Sequence, residues 1–267
     1  METAASNKEK NIVMSVINLI LFLGMVTVNG LANGLPLNGI TTGELSDLYP
    51  NLFVPAGLTF SIWGLIYLLL LLFVVNNLYL SIRNRTDVLI PVKAQIAFAL
   101  TCVFNMGWIF LWHYKLVFLS LLAMLGLLIS LIYLYLKVDE LRLTNVWDRV
   151  ATLLPVSIYF GWISVATIAN VTALLVKLNW GTWGIPEHVW TVIMMIVGAA
   201  LAILVLLRHK CLMYPLVFIW AYTGIIIRRS AQMVVHKDII FTAYAAIAVL
   251  AVLIIITGMR LRKELKA

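Results

Sequence analysis

Charge is scarce in this chain. Lys, Arg, Asp and Glu make up 11% of its 267 residues, where soluble domains carry about 25%. Hydrophobic residues make up 63%. The remaining polar surface cannot cover a soluble globule, so the composition fits only a membrane protein. Cysteine is scarce as well. Cys102 and Cys211 give neither a disulfide framework nor a metal-ligand spacing. The third absence lies inside the apolar runs. No run interior holds Asp, Glu, Lys, Arg or His, and His113, His188, His209 and His236 sit at or beyond run ends. Proton relays and ion-coupled carriers place ionisable groups within the bilayer. A retinal protein needs a mid-span lysine, and a bundle-buried haem needs His or Met at facing positions. Mid-span methionines such as Met106 have no histidine beside them, so none of those classes is expected. Hydrolase chemistry lacks a His and acid pair near a nucleophile. The net charge of +8 is scattered over short loops, which argues against nucleic acid as a partner. No catalytic residue, metal or cofactor is expected.

What the chain does have is long apolar runs. Those at 12–31, 56–80, 94–112, 116–136, 151–176, 188–207, 212–227 and 239–259 approach the roughly 20 residues that cross a bilayer. The first follows Lys8 and Lys10 with no small-residue cleavage site after it, so it is expected to be an uncleaved span. The 212–227 run is the shortest. Eight spans put both termini on one side. That side carries 14 of the 19 Lys and Arg and the other carries 5, which predicts cytoplasmic termini. Arg228 and Arg229 run against this bias. The tail at 260–267 is basic, as expected beside anionic headgroups. The one long connection, 32–54, has no Lys or Arg and is rich in Gly, Pro and Asn. Connections of this length are functional or disordered, and Tyr49, Pro50, Phe53 and Pro55 favour a packed loop.

Three spans carry one pattern. Phe60, Trp63 and Tyr67 are spaced i, i+3, i+7; so are Asn105, Trp108 and Trp112; so are Tyr159, Trp162 and Ala166, with Asn170 one turn further. Each set shares a helix face. Trp and Tyr also favour headgroup depth and Asn bridges helices, so packing competes with ligand binding as the explanation. Trp112, at a span end, reads either way. Trp147, Trp180, Trp183 and Trp190 read as interfacial anchors. Trp63, Trp108 and Trp162 lie deeper, where an indole N–H needs a partner. Convergence of the three faces would make an apolar pocket with a few polar anchors. In 188–207, Gly198, Ala199 and Ala202 permit close helix packing.

PNLFVPAGLTFSIWGLIY, FNMGWIFLWH and YFGWISVATIAN, taken together, resemble the TspO/MBR family of tryptophan-rich sensory and translocator proteins. The likeness covers about residues 12–180. It departs where the family's loop Trp is Phe53, where Ile158 replaces the Pro before Tyr159, and where Ile109 and Phe110 replace Ser-Pro. The resemblance implies an all-α integral membrane protein with a five-helix bundle over 12–180 and lid 32–54; the apolar runs and charges add an N-terminal tail 1–11, a three-helix extension over 186–259 that has no counterpart in compact family members, and a basic tail 260–267. It implies a pocket for a flat hydrophobic, tetrapyrrole-like ligand lined by Trp63, Tyr67, Asn105, Trp108, Tyr159, Trp162, Ala166 and Asn170, with Tyr49, Pro50 and Phe53 as lid. A homodimer in a prokaryotic cytoplasmic membrane is the expected setting. The expected role is a membrane sensor or receptor. The alternatives are an uncoupled transporter of tetrapyrroles or other apolar molecules, and an enzyme degrading bound porphyrin.

Overall fold

The computed structural model describes residues 2–35 and 37–264. Met1, Pro36 and residues 265–267 of the basic tail therefore lie outside the described residues. Eight long helices follow one another: α1 (Glu2–Gly34), α2 (Ile62–Arg83), α3 (Val92–His113), α4 (Val117–Asp139), α5 (Leu154–Lys177), α6 (Glu187–His209), α7 (Met213–Ser230) and α8 (Lys237–Glu264). No strand occurs among the described residues. Pro91 and Pro186 stand just before α3 and α6, where a missing N–H costs nothing. Leu68, Ile129, Phe241 and Ile255 are each at least 60% exposed. Such outward apolar side chains are at ease only in lipid.

Contacts divide the chain into two compact units. The first holds Met1–Leu45 and Trp63–Phe160; the second holds Ser46–Ile62 and Gly161–Ala267. In the first unit, α3 packs against both α1 and α4. A buried polar patch joins the start of α1 to its neighbours. Ser15 Oγ lies 2.7 Å from Ser81 Oγ and donates to Gln95 Oε1, and Asn77 Nδ2 donates to Ser15 Oγ. Each of these side chains brings its partner with it, so none is left bare in hydrocarbon.

The second unit contains the later part of α5, the 46–62 segment and the last three helices. Here α8 packs on α6 and α7. Gly198 allows α6 to approach α7: a Cβ there would fall 2.6 Å from the Tyr222 hydroxyl, which donates to Met195 O at 2.6 Å. The expectation of a close-packing surface at Gly198 and Ala202 matches this contact and the full burial of Ala202.

Seven of the eight helices are long and apolar enough to cross a membrane. The exception is α7, over the run expected at 212–227, because Arg228, Arg229 and Ser230 occupy its last turn. Its neighbours nevertheless fix its path. His188 meets Asp238 at the starts of α6 and α8, and Lys210 meets Glu264 at their ends. The two helices thus run parallel, and α7 returns the chain from one end of the pair to the other. Its 18 residues cover about 27 Å at 1.5 Å per residue.

The two arginines have a local task. Arg228 donates to Pro55 O and pairs with Asp47, and Arg229 donates to Val54 O at 3.3 Å. Along the same helix, Gly224 O accepts from Ala56 N, and Trp220 Nε1 donates to Thr59 O. The 46–62 segment, which overlaps only the later part of the loop expected at 32–54, is therefore fixed along α7.

Candidate ligand site

The predicted site residues divide between the units. Trp63, Tyr67, Asn105, Trp108 and Tyr159 belong to the first; Trp162, Ala166 and Asn170 belong to the second, with the lid residues Tyr49, Pro50 and Phe53.

In the first unit the five come together. Trp63 opens α2 and stacks on Tyr67 one turn later, with ring centroids 5.5 Å apart. It also faces Trp108 of α3 at 6.4 Å and meets the Tyr159 ring edge-on at 6.2 Å. Trp108 in turn stacks on Trp112. A polar chain runs beside the rings: Asn29 Nδ2 donates to Asn105 Oδ1 at 2.7 Å, and Asn105 Nδ2 donates to the Tyr159 hydroxyl at 3.1 Å. Asn29, on α1, has no place in the three repeated patterns; the spacing of Met25, Asn29 and Asn33 on one face is its sequence signal. Trp112 and His113 hold the segment that follows α1: Trp112 Nε1 donates to Thr42 O, and His113 Nε2 lies 3.0 Å from Thr42 Oγ1. The rings thus pack on one another, and Asn105 serves as a junction among three helices. The Tyr67 hydroxyl is buried and makes no hydrogen bond to any described residue. Such a group costs about 1–3 kcal/mol, and a polar ligand atom could satisfy it.

In the second unit, Trp162 meets the edge of Phe60 at 6.0 Å. A cavity of about 280 Å³ lies elsewhere in this unit. Pro50, Asn51 and Phe53 line it from the loop, Val171, Thr172, Leu175 and Val176 from α5, Trp180 and Thr182 from the turn, and Glu187, Trp190, Thr191 and Met194 from α6. Two predicted lid residues are in this wall; Trp162, Ala166 and Asn170 are not. Its loop side is built by hydrogen bonds. Asn51 Oδ1 accepts from Phe53 N and Val54 N, and Glu187 Oε1 accepts from Leu52 N at 3.0 Å. Thr172 and Thr191 donate back to their own helices. The wall therefore offers apolar surface, indole faces and the single carboxylate of Glu187.

Trp180 and Trp190, expected as headgroup anchors, are part of this wall, and their rings lie 5.2 Å apart. Trp190 Nε1 donates to Thr182 O, which ties the turn to α6. The sequence signal was the crowding of Trp180, Trp183 and Trp190 around Gly181, Gly184 and Pro186. Two indoles beside the turn and one in the first turn of α6 can pack on one another, as these do. Trp147, in contrast, is mostly exposed.

Comparison with curated proteins and with solved structures gives no match. A family model described as TSPO-like protein matches residues 15–256, from within α1 to within α8, and so extends past the 12–180 stretch on which the sequence motifs rest. An all-α chain of membrane-crossing helices, matched over nine-tenths of its length, belongs to the TSPO-like protein family.

Proposed function

We propose that the chain is a membrane receptor or sensor for a flat, apolar small molecule, held in the cavity lined by the 46–62 loop, α5 and α6. The observation that carries this reading is the cavity wall, which combines Pro50 and Phe53 with two indoles and one carboxylate. Affinity would come from burial, at about 2.5 kcal/mol for each 100 Å² of apolar surface removed from water. Orientation would come from the faces of Trp180 and Trp190. At about 280 Å³ the cavity is near the lower end of ligand pockets, which run from roughly 300 to 1,000 Å³. A compact ring system fits it directly, and a whole tetrapyrrole requires the loop to move. The family's membership supports a sensor or transporter role at this coarser level.

A second reading places the ligand against Trp63, Tyr67, Asn105, Trp108 and Tyr159, and the buried Tyr67 hydroxyl favours it. Titration with protoporphyrin IX, read by tryptophan quenching, separates the two. Trp190→Phe with Phe53→Ala weakens quenching if the cavity is used, whereas Trp63→Phe with Tyr67→Phe weakens it if the aromatic stack is used. Unchanged quenching in both double variants rejects both. Protein-dependent flux of the same compound into liposomes would convert receptor into facilitator. Termini on the cytoplasmic side and a homodimer complete the proposal.

A further inference from the structure

Apart from the cavity, three side chains with metal-binding chemistry meet at one end of the second unit. His188 is the second residue of α6, Asp238 is the second residue of α8, and His236 lies just before α8. Each offers one ligand atom, and the three atoms lie within 4.8 Å of one another. His188 Nδ1 and Asp238 Oδ2 are 2.5 Å apart. The His188 and His236 rings stack at 5.5 Å with their planes 17° apart, so both imidazoles are held beside the carboxylate. The side chains of His188 and Asp238 are 38% and 43% exposed, which leaves the cluster open to ions from solvent.

We propose that His188, His236 and Asp238 bind a divalent transition-metal ion of the zinc class. Two imidazoles and one carboxylate are ligands of borderline softness, suited to zinc and its neighbours more than to calcium or magnesium. Around zinc, with bonds of about 2.0–2.1 Å, tetrahedral ligands stand roughly 3.3 Å apart. The observed spread of up to 4.8 Å closes to that value by side-chain rotation, while the His188–Asp238 pair opens slightly. Three protein ligands leave a fourth position for water. The N-terminal dipoles of α6 and α8 oppose a cation, and the acidic Glu187 and Asp238 in their first turns offset them. A plain ion pair would need only His188 and Asp238; the metal accounts for the second imidazole stacked on the first. The bound ion would fasten the start of α6 to the start of α8, one residue from the Glu187 carboxylate that holds Leu52 N.

The test uses the full chain in detergent, stripped with chelator and titrated with Zn²⁺ by calorimetry and with Co²⁺ by visible absorption. The expected result is one Zn²⁺ per chain, a Co²⁺ spectrum of four-coordinate type and a raised unfolding temperature with metal. His188→Ala and His236→Ala are each expected to weaken binding at least tenfold and to abolish the thermal shift that metal gives, each variant being compared with and without metal. His209→Ala is expected to bind as the parent does. Absence of stoichiometric binding, or binding that survives the His188→Ala/His236→Ala double variant, overturns the proposal.

Discussion

Asn105 shows how a single polar side chain can be placed inside a bilayer. Its carboxamide accepts from Asn29 and donates to Tyr159, so one residue satisfies two others. Asn105→Leu leaves both without that partner, and is expected to cost about 1–3 kcal/mol in unfolding free energy. Denaturant titration in micelles measures this; Tyr159→Phe, which leaves the Asn29 bond intact, should cost less. Gly224 is the tightest contact of the loop. A Cβ there would sit 1.9 Å from Thr59 Oγ1 and 2.9 Å from Pro55 Cβ. Gly224→Ala is expected to destabilise by about 1–3 kcal/mol and to expose the 46–62 segment to protease, with partial rescue by Thr59→Ala. A third residue, Glu44, closes a capping box with Thr41. The Thr41 backbone N–H, then its hydroxyl, hold the Glu44 carboxyl below its ordinary 4.5. The cap's contribution is thus complete above pH 4.5 and fades as pH falls through the lowered folded value. Carboxyl NMR should show Glu44 titrating below 4.5 in the parent chain, and Thr41→Val should move it part of the way back.

Among the elements, the helices were legible in the sequence because their signal is local. Apolar length and flanking charge placed all eight, and a period of 3–4 residues put Trp63 with Tyr67 and Asn105 with Trp108 on shared faces. The cavity was not legible. Its wall draws on the first loop, the end of α5 and the start of α6, and no periodicity links them. Trp180 and Trp190 resemble interfacial anchors until the turn brings their rings together. The role of Arg228 and Arg229 was hidden for the same reason. In sequence they are misplaced charges at a span end; in the fold they bond to Asp47, Val54 and Pro55. Arg228→Ala with Arg229→Ala is accordingly expected to speed protease cleavage within 46–62 while leaving helix content unchanged by circular dichroism.

For the whole molecule, the path of α7 decides topology. Seven crossings would place the termini on opposite sides; the parallel α6 and α8, with α7 returning between them, support the proposal of eight crossings with both termini on one side. Single cysteines substituted for Lys8 and Lys263, in a background with Cys102 and Cys211 replaced, are expected to react with a membrane-impermeant thiol reagent from the cytoplasmic side only. The resemblance-based division near residue 180 falls inside the second contact unit, which holds the loop and the last three helices. Two of those helices, α6 and α7, therefore supply contacts that hold the loop forming one wall of the cavity.

The claim on which the account turns is that a ligand occupies this cavity, and a photoactivatable apolar ring compound tests it most directly. The account predicts that cross-linked peptides, mapped by mass spectrometry, contain Phe53, Leu175 and Met194 and that excess unlabelled compound suppresses them. Labelling that resists competition and spreads over outward residues such as Leu68 and Phe241 would contradict it.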